Sequence, residues 1–156
     1  MRNHSSNLSR RAILVGAFLL MVPLPGFTAQ REVFTGSFPG VAINGYDAVA
    51  YFTANTPVPG DPTIVSDWNG VTWRFSNEEN KAAFVAAPEK YAPQYGGYCA
   101  YAVSKGAKAK TEPAAFTIVD GKLYLNHSLD VRAIWGKDIT ANVANADKNW
   151  PGLSGQ

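Results

Sequence analysis

The sequence predicts a single α+β domain in which antiparallel β-hairpins carry helices packed on one face. Three observations carry that prediction. Asn69-Gly70 and Asp120-Gly121 each separate two β-prone runs, and both dipeptides supply the positive φ that a two-residue hairpin turn demands. Ser76 and Ser128 each precede a stretch spaced for a helix. Strands do not alternate with helices along the chain, which excludes a doubly wound parallel sheet.

Residues 1–29 read as an export signal. Arg2, Arg10 and Arg11 precede the apolar run 12–22, followed by Pro23, Pro25, Gly26 and a cleavage position after Ala29. Ser9-Arg10-Arg11-Ala12-Ile13-Leu14 resembles the twin-arginine signal, with Ile13 where that signal usually has phenylalanine; a general-secretion signal that happens to carry two arginines is the alternative. The expectation is a periplasmic or otherwise exported protein with no membrane span, since no apolar run reaches the roughly 18 residues that a spanning helix needs.

The whole chain has 14 basic and 12 acidic side chains. Residues 1–29 hold three of the arginines and no acid, so the 127 residues that follow carry 11 basic and 12 acidic groups. A near-neutral mature chain has no clustered positive charge to face phosphates, which excludes a nucleic-acid partner. A chain of that size buries enough surface to fold without a disulfide or a metal, and its single cysteine cannot form an internal disulfide.

Residues 30–45 read as an irregular N-terminal segment, with Gly36, Pro39, Gly40 and Gly45 supplying turn chemistry. Residues 48–53 read as a short buried strand. Residues 63–68 and 71–75 form the first hairpin around Asn69-Gly70. Ser76 and Glu79 have the spacing of a capping box for a helix containing Ala82, Ala83 and Phe84. Pro88 closes that segment or restarts it as a second short helix through Tyr91. Residues 98–103 fit helix and strand equally. Residues 116–119 and 122–125 form the second hairpin around Asp120-Gly121. Ser128 caps a final helix on which Val131, Trp135, Ile139 and Val143 make one apolar stripe, with Gly136 marking a kink or a close packing contact. Trp150-Pro151 ends the domain, the tryptophan acting as an apolar latch.

At this point the blocks become recognisable. Tyr46-Asp47-Ala48-Val49-Ala50, the run 70–84 beginning Gly70-Val71-Thr72-Trp73-Arg74-Phe75-Ser76, and Pro88-Glu89-Lys90-Tyr91 resemble the YHS domain, a short module of metal-transport ATPases and some oxygenases. Residues 94–103, Asp120-Gly121-Lys122-Leu123-Tyr124-Leu125-Asn126 and Trp150-Pro151 look like the exported single-domain branch of that family, so the YHS-like domain is placed at 46–153. The resemblance implies cysteine ligands at three positions where this chain has Ala50, Ser76 and Asn80. Methyl, hydroxyl and amide groups do not replace thiolates toward zinc or copper(I), so the usual site of the family is not expected here.

Cys99 and His127 are then the remaining soft ligands, and they are the candidate metal site. Cys99 follows Gly96-Gly97 and sits among Tyr95, Tyr98 and Tyr101; its ordinary alternative is a small buried core residue. His127 is a solvent-facing or capping residue unless it meets Cys99 in space. Asp47, Asp130, Asp138 and Asp147 are candidate oxygen ligands, with helix capping the alternative. Trp68, Trp73, Tyr46, Tyr51, Tyr95, Tyr98 and Tyr101 line either a small-molecule cleft or the core. Lys105, Lys108 and Lys110 read as a solvated basic run.

The functional expectation is a non-catalytic exported binding or accessory module, handling copper or another soft transition metal through Cys99 and His127, with a third ligand from this chain, a second protomer or a protein partner. A single-cysteine thiol-redox protein is the alternative, and a purely structural or protein-interaction domain is the third class.

Overall fold

The computed structural model describes residues 31–155, so the export signal lies outside the described residues. Among the described residues the fold is α+β, built on two antiparallel two-stranded sheets and six α-helices. Strands β1 (Asp61–Trp68) and β2 (Val71–Phe75) pair with Trp68 opposite Val71. Asn69 and Gly70 take φ of 54° and 78°, the two left-handed residues of the predicted turn. Strands β3 (Phe116–Val119) and β4 (Lys122–Leu125) pair in the same way around Asp120 and Gly121, at φ of 50° and 72°. The two hairpins remain separate sheets.

Residues 48–53 are not a strand. They hold the helical turn α1 (Ala50–Thr53), because the Asp47 carboxylate folds back to accept from the Val49 and Ala50 amides and starts the chain helically. The predicted capping box is also displaced. The cap of α2 (Glu78–Ala86) is Asn77, whose side chain accepts from the Asn80 amide at 2.8 Å, while the Ser76 hydroxyl donates to Asp47 instead. The Asp47 carboxylate takes both the Ser76 amide and the Ser76 hydroxyl in charge-assisted bonds, which fix Ser76 one residue before the cap. Pro88 does restart the chain, as the first residue of α3 (Pro88–Tyr91).

Within residues 98–103 the chain is helical from Ala100 onward: α4 (Ala100–Ser104) begins after Cys99, while Tyr98 is extended. Ser128 caps α5 (Leu129–Trp135), accepting from the Val131 amide. The single final helix expected from the stripe is broken, since a 3₁₀ turn over Gly136–Asp138 separates α5 from α6 (Ile139–Leu153). Asp138 leaves the helical region and caps α6 by accepting from the Ala141 amide at 3.0 Å. A Cβ at Gly136 would meet nothing within 4 Å, so the glycine marks the kink and not a packing contact.

β4 sorts the interior into two clusters by the period of two in a strand. Leu123 and Leu125 face a first cluster with Ile43, Tyr51, Trp73, Phe75 and Phe84. Tyr124 faces a second with Tyr95, Ala100, Val103, Trp135 and Ala146. The N-terminal segment belongs to the same interior. Ile43 is buried, Phe34 exchanges backbone bonds with Gly96 and Ile43, and Glu32 forms an ion pair at 3.0 Å with Lys108, which therefore is not the solvated loop residue expected.

Candidate functional site

Cys99 lies at the start of α4 with 1% of its surface exposed. Its Sγ accepts from the Ala102 amide at 3.5 Å and donates to Asn126 Oδ1 at 3.6 Å. Asn126, fully buried at the end of β4, also accepts from the Tyr101 amide at 3.1 Å through the same oxygen. The Tyr101 contact fixes which way the amide points, and it leaves Asn126 Nδ2 a buried donor without a protein partner among the described residues. His127, the next residue, turns to the Lys110 carbonyl at 3.1 Å. A carbonyl only accepts, so Nδ1 carries the proton.

The side chain that meets Cys99 is thus that of Asn126, the neighbour of the histidine that sequence reasoning singled out. Among the described residues, no group of three or more His, Cys, Asp or Glu side chains converges as a metal site would require. The residues around Cys99 do not fit a soft metal. A metal takes the thiolate, and a thiolate would surrender the hydrogen bond to Asn126 and face that oxygen. Cys99 behaves here as a helix cap in the core.

The positions at which the family resemblance implies thiolates also have a definite use. Asp47, fully buried, accepts at Oδ1 from the Val49 amide (2.9 Å) and the Ala50 amide (3.2 Å). At Oδ2 it accepts from the Ser76 amide (2.8 Å), the Ser76 hydroxyl (2.6 Å) and Asn80 Nδ2 (2.7 Å). Ala50, Ser76 and Asn80 are therefore brought together around one carboxylate whose lone pairs are spent on five donors. This knot ties α1 to the end of β2 and the start of α2.

A further candidate site is an open cleft of about 480 Å³ lined from both clusters. Trp68 and Trp73 of the first hairpin line it together with Tyr95 and Trp150; Trp73 and Tyr95 are core residues, so Trp68 and Trp150 offer most of its aromatic surface. The Tyr95 and Trp150 rings lie edge to face with centroids 6.1 Å apart. Asn69 and Gln94 add amide groups, and Arg31, Glu32, Glu89 and Asp147 add charge. Arg31 and Glu89 pair at 3.4 Å, both largely exposed. Asp147 accepts from the Tyr95 hydroxyl at 2.9 Å. Burial, then the Asp147 hydrogen bond and charge, push the Tyr95 hydroxyl well above the usual tyrosine range, so it stays a donor.

The cleft depends on the strap 31–34. The Asn69 side chain accepts from the Arg31 amide at 2.8 Å and donates to the Arg31 carbonyl. Gly96, at φ of 61°, lets the strap pass: a Cβ there would stand 2.1 Å from the Glu32 carbonyl oxygen. The close approach expected of Gly96-Gly97 is thus to this chain's own N-terminal segment. Burial would raise the Glu32 carboxyl, but hydrogen bonds from Tyr98, the Gly155 amide and Lys108, with the charge of Lys108, outweigh it and hold the group below the usual carboxylate range. The same contact, after burial, pushes the Tyr98 hydroxyl up to about 12.

Of the aromatic candidates, Trp68, Trp73 and Tyr95 line the cleft, whereas Tyr51 is core, half-buried Tyr46 packs against the first cluster, and Tyr98 braces the strap. Tyr101 stacks under the Lys105 ammonium, 5.0 Å from the ring centroid. Asp130 and Asp138 sit at helix starts. Asn126 went unread in the sequence, although a polar residue ending a strand buried on both faces was its signal. Comparison with protein-family models, curated proteins and solved structures finds no match.

Proposed function

We propose that this chain is an exported, non-catalytic binding module of YHS-like architecture that works through the cleft between Trp68 and Trp150. One observation carries the reading: a concave surface of about 480 Å³ combines aromatic walls with a few polar groups of fixed orientation, the composition by which small-molecule sites are recognised. Export and the YHS resemblance rest on the sequence blocks alone. The soft-metal variant has less support, because Cys99 is sealed by the Ala102 amide and Asn126 and would have to break both contacts. The thiol-redox variant meets the same barrier, since an oxidant must reach a sulfur with almost no exposed surface.

The test is a nitrogen-15 spectrum of the labelled chain in the presence of a panel of small anionic, neutral and cationic organic solutes. At least one class is expected to shift the Trp68 and Trp150 indole resonances saturably and leave Trp135, buried in the second cluster, unmoved. The reading is overturned if no solute shifts those two indoles, or if anaerobic copper(I) titration shows stoichiometric binding that Cys99→Ala abolishes.

A further inference from the structure

We propose that the ligand of the cleft is a small organic cation, an amine or quaternary ammonium compound, held by its positive nitrogen between the Trp150 and Trp68 rings and Asp147. The inference rests on the cleft being the binding site and adds the chemistry of its ligand. Four features agree. Two half-buried tryptophans, Trp68 and Trp150, line the cleft, and an indole face attracts a desolvated cation more strongly than any other side-chain ring. The charged lining is unbalanced, with Glu32, Glu89 and Asp147 against Arg31 alone. Arg31 is engaged by Glu89 and Glu32 by Lys108, whereas Asp147 takes its hydrogen bond from the neutral Tyr95 hydroxyl.

The fourth feature is the end of α6. Asp147, Trp150 and Pro151 line the cleft from the last two turns of this 15-residue helix, where the aligned peptide dipoles present partial negative charge. Pro151 has no N–H to give to the Asp147 carbonyl. A cation beside Asp147 therefore meets a carboxylate, a negative helix end and aromatic faces together. An anion would meet the same groups with the opposite sign, and a neutral solute would use the rings but not the charge.

Tryptophan emission of the purified chain, titrated with choline and with tetramethylammonium, is the direct experiment. The controls are 3,3-dimethylbutanol, a neutral compound of nearly the same shape as choline, and glucose. The expected result is saturable quenching by both cations at concentrations at least about tenfold below those needed for dimethylbutanol. Asp147→Asn, a substitution at an exposed position that preserves size, is expected to weaken choline at least about fivefold and to leave dimethylbutanol unchanged. Trp150→Leu should weaken both.

Equal binding of dimethylbutanol or glucose and choline, or an unchanged choline affinity in Asp147→Asn, overturns the cation while leaving the cleft intact. No response to choline overturns the cation as well. In that case other solutes that still move the Trp68 and Trp150 indoles would keep the cleft, and their absence would remove it too.

Discussion

Replacing Asp47 by asparagine separates a knot of hydrogen bonds from a mere contact. The side chain keeps its size and one oxygen, but loses the charge and one acceptor. If the remaining oxygen serves the Val49 and Ala50 amides, the new NH₂ group faces the Ser76 amide at 2.8 Å and Asn80 Nδ2 at 2.7 Å, donor against donor. If the amide turns over, it faces Val49 and Ala50 instead. Either way about two buried N–H groups lose their acceptor, each at a cost of about 1–3 kcal/mol, and the bonds that survive are no longer charge-assisted. The sum is a destabilisation of about 3 kcal/mol. Urea unfolding, followed by tryptophan emission, should show the midpoint falling by about 2 M with the slope unchanged, for a slope near 1.5 kcal/mol/M. A loss below about 1 kcal/mol would refute the reasoning, because it would mean that water or a rearranged Ser76 satisfies the stranded donors.

Three further outcomes follow from the same geometry. Cys99 should resist a bulky disulfide reagent in the native chain and react fully in denaturant; equal rates in both states would contradict a thiol sealed by Asn126 and Ala102. Two glycine-to-alanine changes should have opposite signs. Gly96→Ala drives a Cβ into the Glu32 carbonyl at a left-handed φ and should lower stability by more than about 1 kcal/mol, while Gly136→Ala, in open space at helical φ and ψ, should raise it by about 0.4–1 kcal/mol. Acid should release the strap: Glu32 titrates below its unfolded value, so its contribution is present above that value and lost as pH falls through the folded one. Amide exchange at Phe34, corrected for intrinsic rate, should speed up in that window and in Glu32→Gln at neutral pH; protection that ignores both changes would exclude the Glu32 clasp.

Both hairpins were legible because a two-residue turn is local chemistry: Asn69-Gly70 and Asp120-Gly121 carry in two positions all the backbone freedom that the turn requires. The errors have long-range causes. Ser76 looks like a cap within its own segment and is redirected by a carboxylate 29 residues away. Residues 48–53 are apolar on every side, a pattern that fits a buried strand or a buried helical turn alike, and the Asp47 side chain decides between them. The stripe from Val131 to Val143 has helical spacing on both sides of Gly136, so spacing could not show that Asp138 interrupts it. The cleft was the least legible feature. Trp68 and Tyr95 were readable as aromatics with a choice between core and cleft, but the choice depends on Arg31, Gln94 and Asp147 arriving from three distant stretches.

The arrangement around the strap joins the proposed export to the proposed binding. Asn69 occupies the first hairpin turn, and its left-handed backbone leaves the side-chain amide free to hold both the N–H and the carbonyl of Arg31. The Glu32 carboxylate fastens the next residue to Tyr98, Lys108 and the Gly155 amide, so the two ends of the described chain meet on one side chain. Cleavage after Ala29 would start the mature chain at Gln30, one residue before this clasp. The wall of the cleft nearest the proposed new N-terminus lies over a scaffold whose Gly96 has no Cβ to obstruct it. A clasp of charged hydrogen bonds on a glycine seat yields more readily than a buried apolar contact, because acid or competing salt weakens it without disturbing either core cluster. The strap is accordingly the part of the cleft wall most sensitive to acid and salt, while Asp47 and Cys99 hold the scaffold on which it rests.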